Sequence, residues 1–140
     1  MAKISLSAEA LRAILKVRLK NIMELTKVEI ITRTSKLEEL KEALNKIGVL
    51  GMTVSQVYGC GLQKGHREIY RGQAYEINLV PKIKVETVIC EIPVERVLEV
   101  AEKVLKTGKV GDGKIFVYKL SDAVRIRTGD RGPEAIMDEK

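Results

Sequence analysis

"KIKVETVICEIPVERVLEVAEKVLKTGKVGDGKIFVYKL", residues 82–120, decides the fold, because a strand, a helix and a second strand follow one another within it. "KIKVETVICE" (82–91) alternates apolar and polar residues as a half-buried strand does. Pro93 then opens a helix at its first turn, where its missing N–H costs nothing. Val94, Val97, Leu98, Ala101, Val104 and Leu105 recur at the spacing of one buried helical face, and Gly108 is expected to end it. "IFVYKL" (115–120) is short and rich in β-formers, so it reads as a strand.

Upstream, the same three elements appear in the same order. "KVEIITR" (27–33) is a β-branched strand. "SKLE" (35–38) has the spacing of a capping box, with Ser35 as the cap and Glu38 reaching back. Leu37, Leu40, Leu44 and Ile47 give the following helix its apolar stripe, and Gly48 stops it. "MTVSQVYG" (52–59) is the next strand. The order is therefore β-α-β-β-α-β, an α+β, ferredoxin-like fold with both helices on one face of an antiparallel sheet. Its second and third strands should pair as a hairpin. The helix-free face asks for cover, which an oligomer supplies most simply.

Ahead of this domain (26–140), residues 1–25 read as an amphipathic helical extension. Ser7 is placed to cap it, and Leu11, Ile14, Leu15, Leu19, Ile22 and Leu25 share one face. Arg18 interrupts that face, so packing is favoured over insertion into a membrane. Between the second and third strands, "GCGLQKGHREIYRG" (59–72) is too polar and glycine-rich for a core strand and lacks helical periodicity. It predicts a long exposed loop, and such loops usually carry function.

Composition narrows the possibilities. The net charge is +6 from 25 Lys plus Arg and 19 Asp plus Glu, with four Tyr and one Phe. That is too weak and too poor in stacking rings for a nucleic-acid surface, but it suits small anions. No secretory signal or membrane span is expected, and Cys60 and Cys90 form neither a metal spacing nor a disulfide framework, which fits a reducing cytoplasm.

Two stretches could bind phosphate. Gly108 to Lys114 satisfies G-x-x-x-x-G-K, yet Ile115 replaces the Ser or Thr of a P-loop and a strand follows in place of a helix. An anion nest at Gly111 and Gly113 beside Lys114 survives that failure; a plain helix-to-strand turn is the alternative. In "RIRTG" (125–129), a period of two would turn Arg125 and Arg127 to one side of an extended segment, as would suit a polyphosphate. A solvated pair is the alternative. His66 has no partner for catalysis, and no set of nucleophile, base and orienting group emerges, so the chain reads as a binding module and not an enzyme.

"GCGLQKGHREIYRGQAY" with "LVPKIKVE", then "TGKVGDGKIFVY", then "VRIRTG", resemble the nitrogen-regulatory PII proteins from about Lys27 to Ile136. The resemblance implies a homotrimer that binds ATP or ADP in clefts between subunits. Gly111, Asp112, Gly113 and Lys114 match the family's phosphate-cradling B-loop, and Arg125 and Arg127 match arginines that reach the phosphates from the neighbouring subunit. Thr53 and Glu86 match positions around adenine and ribose, and Gly59 and Gly61 are counted with the nucleotide contacts. The segment 59–80 matches the T-loop that meets partner proteins such as an ammonium channel, a metabolic enzyme or a regulator. Gln63 matches a ligand of the magnesium (Mg) ion that joins ATP to 2-oxoglutarate, and Lys82 matches the lysine that pairs with the keto-acid. Arg71 matches a loop-tip arginine that plugs channels, and Tyr75 a tyrosine that some members have nucleotidylated.

Departures from the pattern are Leu62 in place of arginine, Thr34 and Ser35 in place of Pro-Phe, and Ala74 in place of an acid before Tyr75. The implied function is an ATP/ADP-sensing signalling trimer, linked to nitrogen or energy status, that acts through its T-loop. An adenylate-only sensor without a 2-oxoglutarate response, or a slow ATP hydrolase, would fit the same motifs.

Overall fold

Strand β1 (Thr26–Thr32) alternates buried and half-buried along its whole length, with Thr26, Val28, Ile30 and Thr32 turned inward. It lies inside a four-stranded sheet of order β2-β5-β1-β6, where β2 is Thr53–Cys60, β5 is Leu79–Ile89 and β6 is Lys114–Lys119. Every pairing is antiparallel. The computed structural model describes residues 5–22, 24–60, 67–70, 73–76 and 79–137.

Helices α2 (Leu37–Lys46) and α3 (Val94–Leu105) cover one face. Leu40 and Leu44 of α2, and Val97 and Ala101 of α3, are fully excluded from solvent against Val28, Ile30 and Val85. This is the period of 3.6 meeting the period of two, and it gives the expected ferredoxin-like layer pair. The anticipated hairpin is present as β2 against β5, with Thr53 opposite Glu86 and Gly59 opposite Val80.

Among the described residues no helix covers the other face, and a charge lattice occupies it. Glu29 and Glu86 sit directly opposite each other, a like-charge pair that alone would be unfavourable. Lys27 reaches Glu86 at 3.1 Å and Lys84 reaches Glu29 at 3.5 Å, while the Tyr118 hydroxyl donates to Glu29 at 3.0 Å. That hydrogen bond holds the Glu29 carboxyl below its usual pKa and raises the Tyr118 phenol. The Lys27 ammonium, raised by its bond to Glu86, also lies 4.7 Å from the Tyr118 ring centre.

Helix α1 (Ala8–Ile22) begins as its cap residue dictates: Ala10 N–H donates to Ser7 Oγ at 3.2 Å. It touches the short 3-10 turn Gly132–Ala135, and Lys16 lies 3.6 Å from Glu134. Leu11, Ile14, Leu15 and Val17 remain exposed.

Three local readings change. The Ser35/Glu38 capping box does not form, because Ser35 lies inside a 3-10 turn (Thr34–Lys36) and lacks the extended backbone of a cap. Glu38 instead pairs with Lys41 at 3.2 Å. Gly48 does end α2: at φ +94° it lets Gly48 N–H reach the Asn45 carbonyl and Val49 N–H reach that of Leu44, each at 3.0 Å. Gly108 does not end α3, since Lys106 is already extended; its φ of +82° turns the loop that follows. Finally, the stretch expected to be one irregular loop contains a two-stranded ribbon, β3 (Arg67–Tyr70) against β4 (Gln73–Glu76), separate from the main sheet.

Candidate functional site

Between α3 and β6 the chain makes a loop whose carbonyls are fastened one after another to the end of the sheet. Arg33 Nη2 donates to the Val110 carbonyl at 3.0 Å, and Lys82 Nζ to that of Gly111 at 2.5 Å. Thr32 Oγ1 donates to the carbonyl of Asp112 at 2.8 Å. In a trans peptide the N–H points opposite to its carbonyl, and there is no cis bond among the described residues. The amides of Gly111, Asp112 and Gly113 therefore face away from these three donors. Gly111 and Gly113 hold φ of +103° and +105°, which only glycine takes readily. Lys114 follows at once, exposed, as the first residue of β6.

Asp112 braces this loop from within. Its carboxylate accepts the N–H of Thr107 at 2.8 Å, the N–H of Gly108 at 2.9 Å, and the Thr107 hydroxyl. Arg33 adds an ion pair at 3.4 Å. With the Thr107 bonds leading, these hold its pKa down to about 2. The side chain expected among the nucleotide contacts is thus turned into the loop itself.

Thr53 and Glu86 are cross-strand partners on the helix-free face, where Thr53 is exposed and Glu86 takes the Lys27 ammonium. A Cβ on Gly59 would meet the Lys82 side chain at 3.5 Å, so the glycine leaves room for that lysine to run toward the loop. Lys82 and the Gly111–Lys114 loop, separated by about 30 residues in sequence, are thereby brought together.

The C-terminal arginines are elsewhere. "RIRTG" is a turn and not an extended segment: Gly129 N–H donates to the Arg125 carbonyl at 2.7 Å, and Gly129 sits at φ +75°. The period of two does not hold here, because Ile126 to Thr128 curl and leave Ile126 98% exposed. Arg125 lies 3.4 Å from Asp130 and also donates to the Met137 carbonyl. This turn follows the end of β6 where Leu120 N–H bonds to the Leu25 carbonyl, just before β1 begins. The glycine loop adjoins Ile31, where β1 ends. At about 3.3 Å per residue, the seven residues of β1 put about 20 Å between the two sheet ends from which the arginine turn and the glycine loop leave.

Gly61, Gln63 and Arg71 lie outside the described residues, and Tyr75 is described only as a backbone position of β4 opposite Glu68. Among the described residues, no group of three His, Cys, Asp or Glu could hold a metal, and no helix is long and apolar enough to cross a membrane. Sequence reading missed Arg33 altogether. Arg33 directly follows the last residue of β1, and the strand pattern alone says nothing of what its guanidinium meets.

The family model described as nitrogen regulatory protein P-II matches residues 25–130. A nitrogen regulatory PII-like protein of Bacillus subtilis (strain 168) is 53% identical over 113 residues, covering 81% of this chain and 97% of that protein. A nitrogen regulatory protein P-II of Rhodospirillum rubrum is 51% identical over 110 residues, covering 79% and 98%. Among solved structures, the Bacillus subtilis GlnK-ATP complex superposes with a TM-score of 0.70 at 53% identity, covering 81% of this chain and 98% of the other. PII of Arabidopsis thaliana bound to citrate gives 0.65 at 38% identity, covering 81% and 92%. Glycine loop, sheet order and paired carboxylates all fall within the matched span, and the chain belongs to the nitrogen regulatory protein P-II family.

Proposed function

We propose that this chain forms a homotrimer that binds ATP or ADP in clefts between subunits and signals to a partner protein through residues 59–80. The observation that carries the reading is the split site. Gly111, Asp112 and Gly113, beside Lys114, turn their amides away from the three donors, while the turn of Arg125 and Arg127 leaves the sheet at the other end of β1, about 20 Å along the strand. One phosphate chain cannot touch both within a single chain, but it can when a second copy supplies the arginines. The ATP complex of the Bacillus subtilis relative supports the choice of ligand.

On this reading Thr53, Gly59, Gly61 and Glu86 surround the nucleoside, and Gln63 would hold a magnesium ion, whose preference for hard oxygen an amide carbonyl satisfies. Lys82 would pair with 2-oxoglutarate. Arg71 and Tyr75 would face the partner, and residues 1–25 form an extension to the 26–140 domain. The adenylate-only alternative draws support from Lys82, whose ammonium is already held by the Gly111 carbonyl.

Mixing tests the split site. Lys114→Ala and Arg125→Ala variants should each bind ATP poorly in calorimetry. Co-refolded, they should recover a fraction of tight sites, because some clefts then combine an intact loop with an intact arginine. If the mixture binds no better than its parents, the site lies within one subunit.

A further inference from the structure

We infer that Arg33 is a positioning residue for phosphate binding, acting through the loop backbone. It rests on the reading above, that this loop holds the nucleotide phosphates. The Arg33 guanidinium lies flat against Gly111, its Nη1, Nη2 and Cζ atoms 3.0, 3.2 and 3.3 Å from where a Cβ would stand. From there Nη2 bonds the Val110 carbonyl at 3.0 Å and contacts Asp112 Oδ1 at 3.4 Å. One planar group thus grips the residues on both sides of Gly111 and fills the space that the missing side chain leaves.

Among the described residues, three side chains hold the loop carbonyls, and of these Arg33 also binds the aspartate that braces the loop. Thr32 reaches only the Asp112 carbonyl and Lys82 only that of Gly111. Nη2 carries two N–H donors and so takes the carbonyl and the carboxylate together while the guanidinium plane covers Gly111; a lysine ammonium can donate but has no plane to lie there. Val110 is 93% exposed, so its own side chain does nothing to fix the peptide. Without Arg33, the Val110–Gly111 peptide loses the donor that holds its carbonyl, and the Gly111 N–H no longer has a fixed direction.

The side chain is one-third exposed and outside the core, so its loss should leave the fold intact. Arg33→Ala should weaken ATP about 3- to 30-fold. Hydrogen exchange of the amides at 108–113 should quicken, while the thermal midpoint of the unliganded protein stays within a few degrees. Arg33→Lys, keeping a cationic donor but losing the planar group over Gly111, should recover part of both losses. Unchanged ATP affinity in Arg33→Ala, unchanged exchange, or an equal loss in Arg33→Lys would overturn the assignment. Failure of the unmodified protein to bind ATP would instead overturn the reading of the site.

Discussion

Gly113 approaches β1 so closely that a Cβ there would stand 1.8 Å from the carbonyl oxygen of Ile31. No side chain fits, and its φ of +105° would strain any other residue besides. The backbone of β1 cannot yield, because Ile31 is paired to Lys114 on one side and Lys84 on the other. Gly113→Ala is therefore expected to cost at least about 2 kcal/mol, beyond the conformational penalty alone. Gly111→Ala meets only the Arg33 guanidinium at 3.0 Å, which can swing aside, so its cost should be smaller. Thermal unfolding of the two variants side by side checks the order.

Asp112 gives the loop a pH signature. Its pKa is lowered from 3.8 to about 2, so the carboxylate's contribution is complete above the ordinary value and is lost as pH falls through the folded one. The unmodified protein should thus lose stability between about pH 4 and pH 2 more steeply than Asp112→Asn does. Other carboxylates titrate in the same window, and the difference between the two unfolding curves removes them. Parallel curves would mean that the Thr107 and Gly108 bonds contribute nothing in solution.

Arg125 tests the proposed contribution of a second subunit. A guanidinium–phosphate contact contributes about 1.5–3 kcal/mol, so Arg125→Ala should weaken ATP roughly 10- to 150-fold. The same side chain ties its own turn to Asp130 and Met137, so Asp130→Asn serves as a control that loosens the turn and spares the cation. Calorimetry should show a much larger loss in Arg125→Ala than in the control. Equal losses would assign Arg125 to the turn alone.

Sequence periodicity made most of the architecture legible, because burial in β1, β5, α2 and α3 follows side-chain spacing with few exceptions. What escaped it was backbone geometry. Nothing in "SKLE" says that a 3-10 turn will use up Ser35, and nothing in "RIRTG" says that Ile126 will curl outward. The turns of the glycine loop were legible from Gly111 and Gly113, whose φ values are positive. Its clamps were not, since Thr32, Arg33 and Lys82 come from distant strands and meet the loop only through the sheet register.

Helix α1 presents exposed Leu11, Ile14 and Leu15 and, within the chain, packs on the Gly132–Ala135 turn. If this face packs in the oligomer, removing residues 1–24 should lower the thermal midpoint or change the mass seen by ultracentrifugation. The cut spares Leu25, which is buried and whose carbonyl accepts Leu120 N–H, so the sheet should survive it. Sedimentation of the intact protein with anionic liposomes, lost on truncation, would place the helix on a membrane surface instead.

Lys82 makes the 2-oxoglutarate response a competition. Its ammonium is 2.5 Å from the Gly111 carbonyl, so pairing with a keto-acid must draw it off the loop that would hold the phosphates. A shared magnesium ion would offset that loss, since each ligand then completes the other's coordination. Positive coupling between MgATP and 2-oxoglutarate is therefore expected, in the range of about 1–3 kcal/mol. It should vanish with EDTA, and ADP, which lacks the γ-phosphate, should not support it. Lys82→Met should remove the response and also weaken ATP by itself, because the Gly111 carbonyl loses its donor. Calorimetric titration of 2-oxoglutarate into MgATP-saturated protein decides the matter. No binding at millimolar keto-acid would favour the adenylate-only reading, with Leu62→Arg as the restoring variant to try. A Lys82→Met variant that binds ATP normally would show that the loop keeps its shape without this clamp.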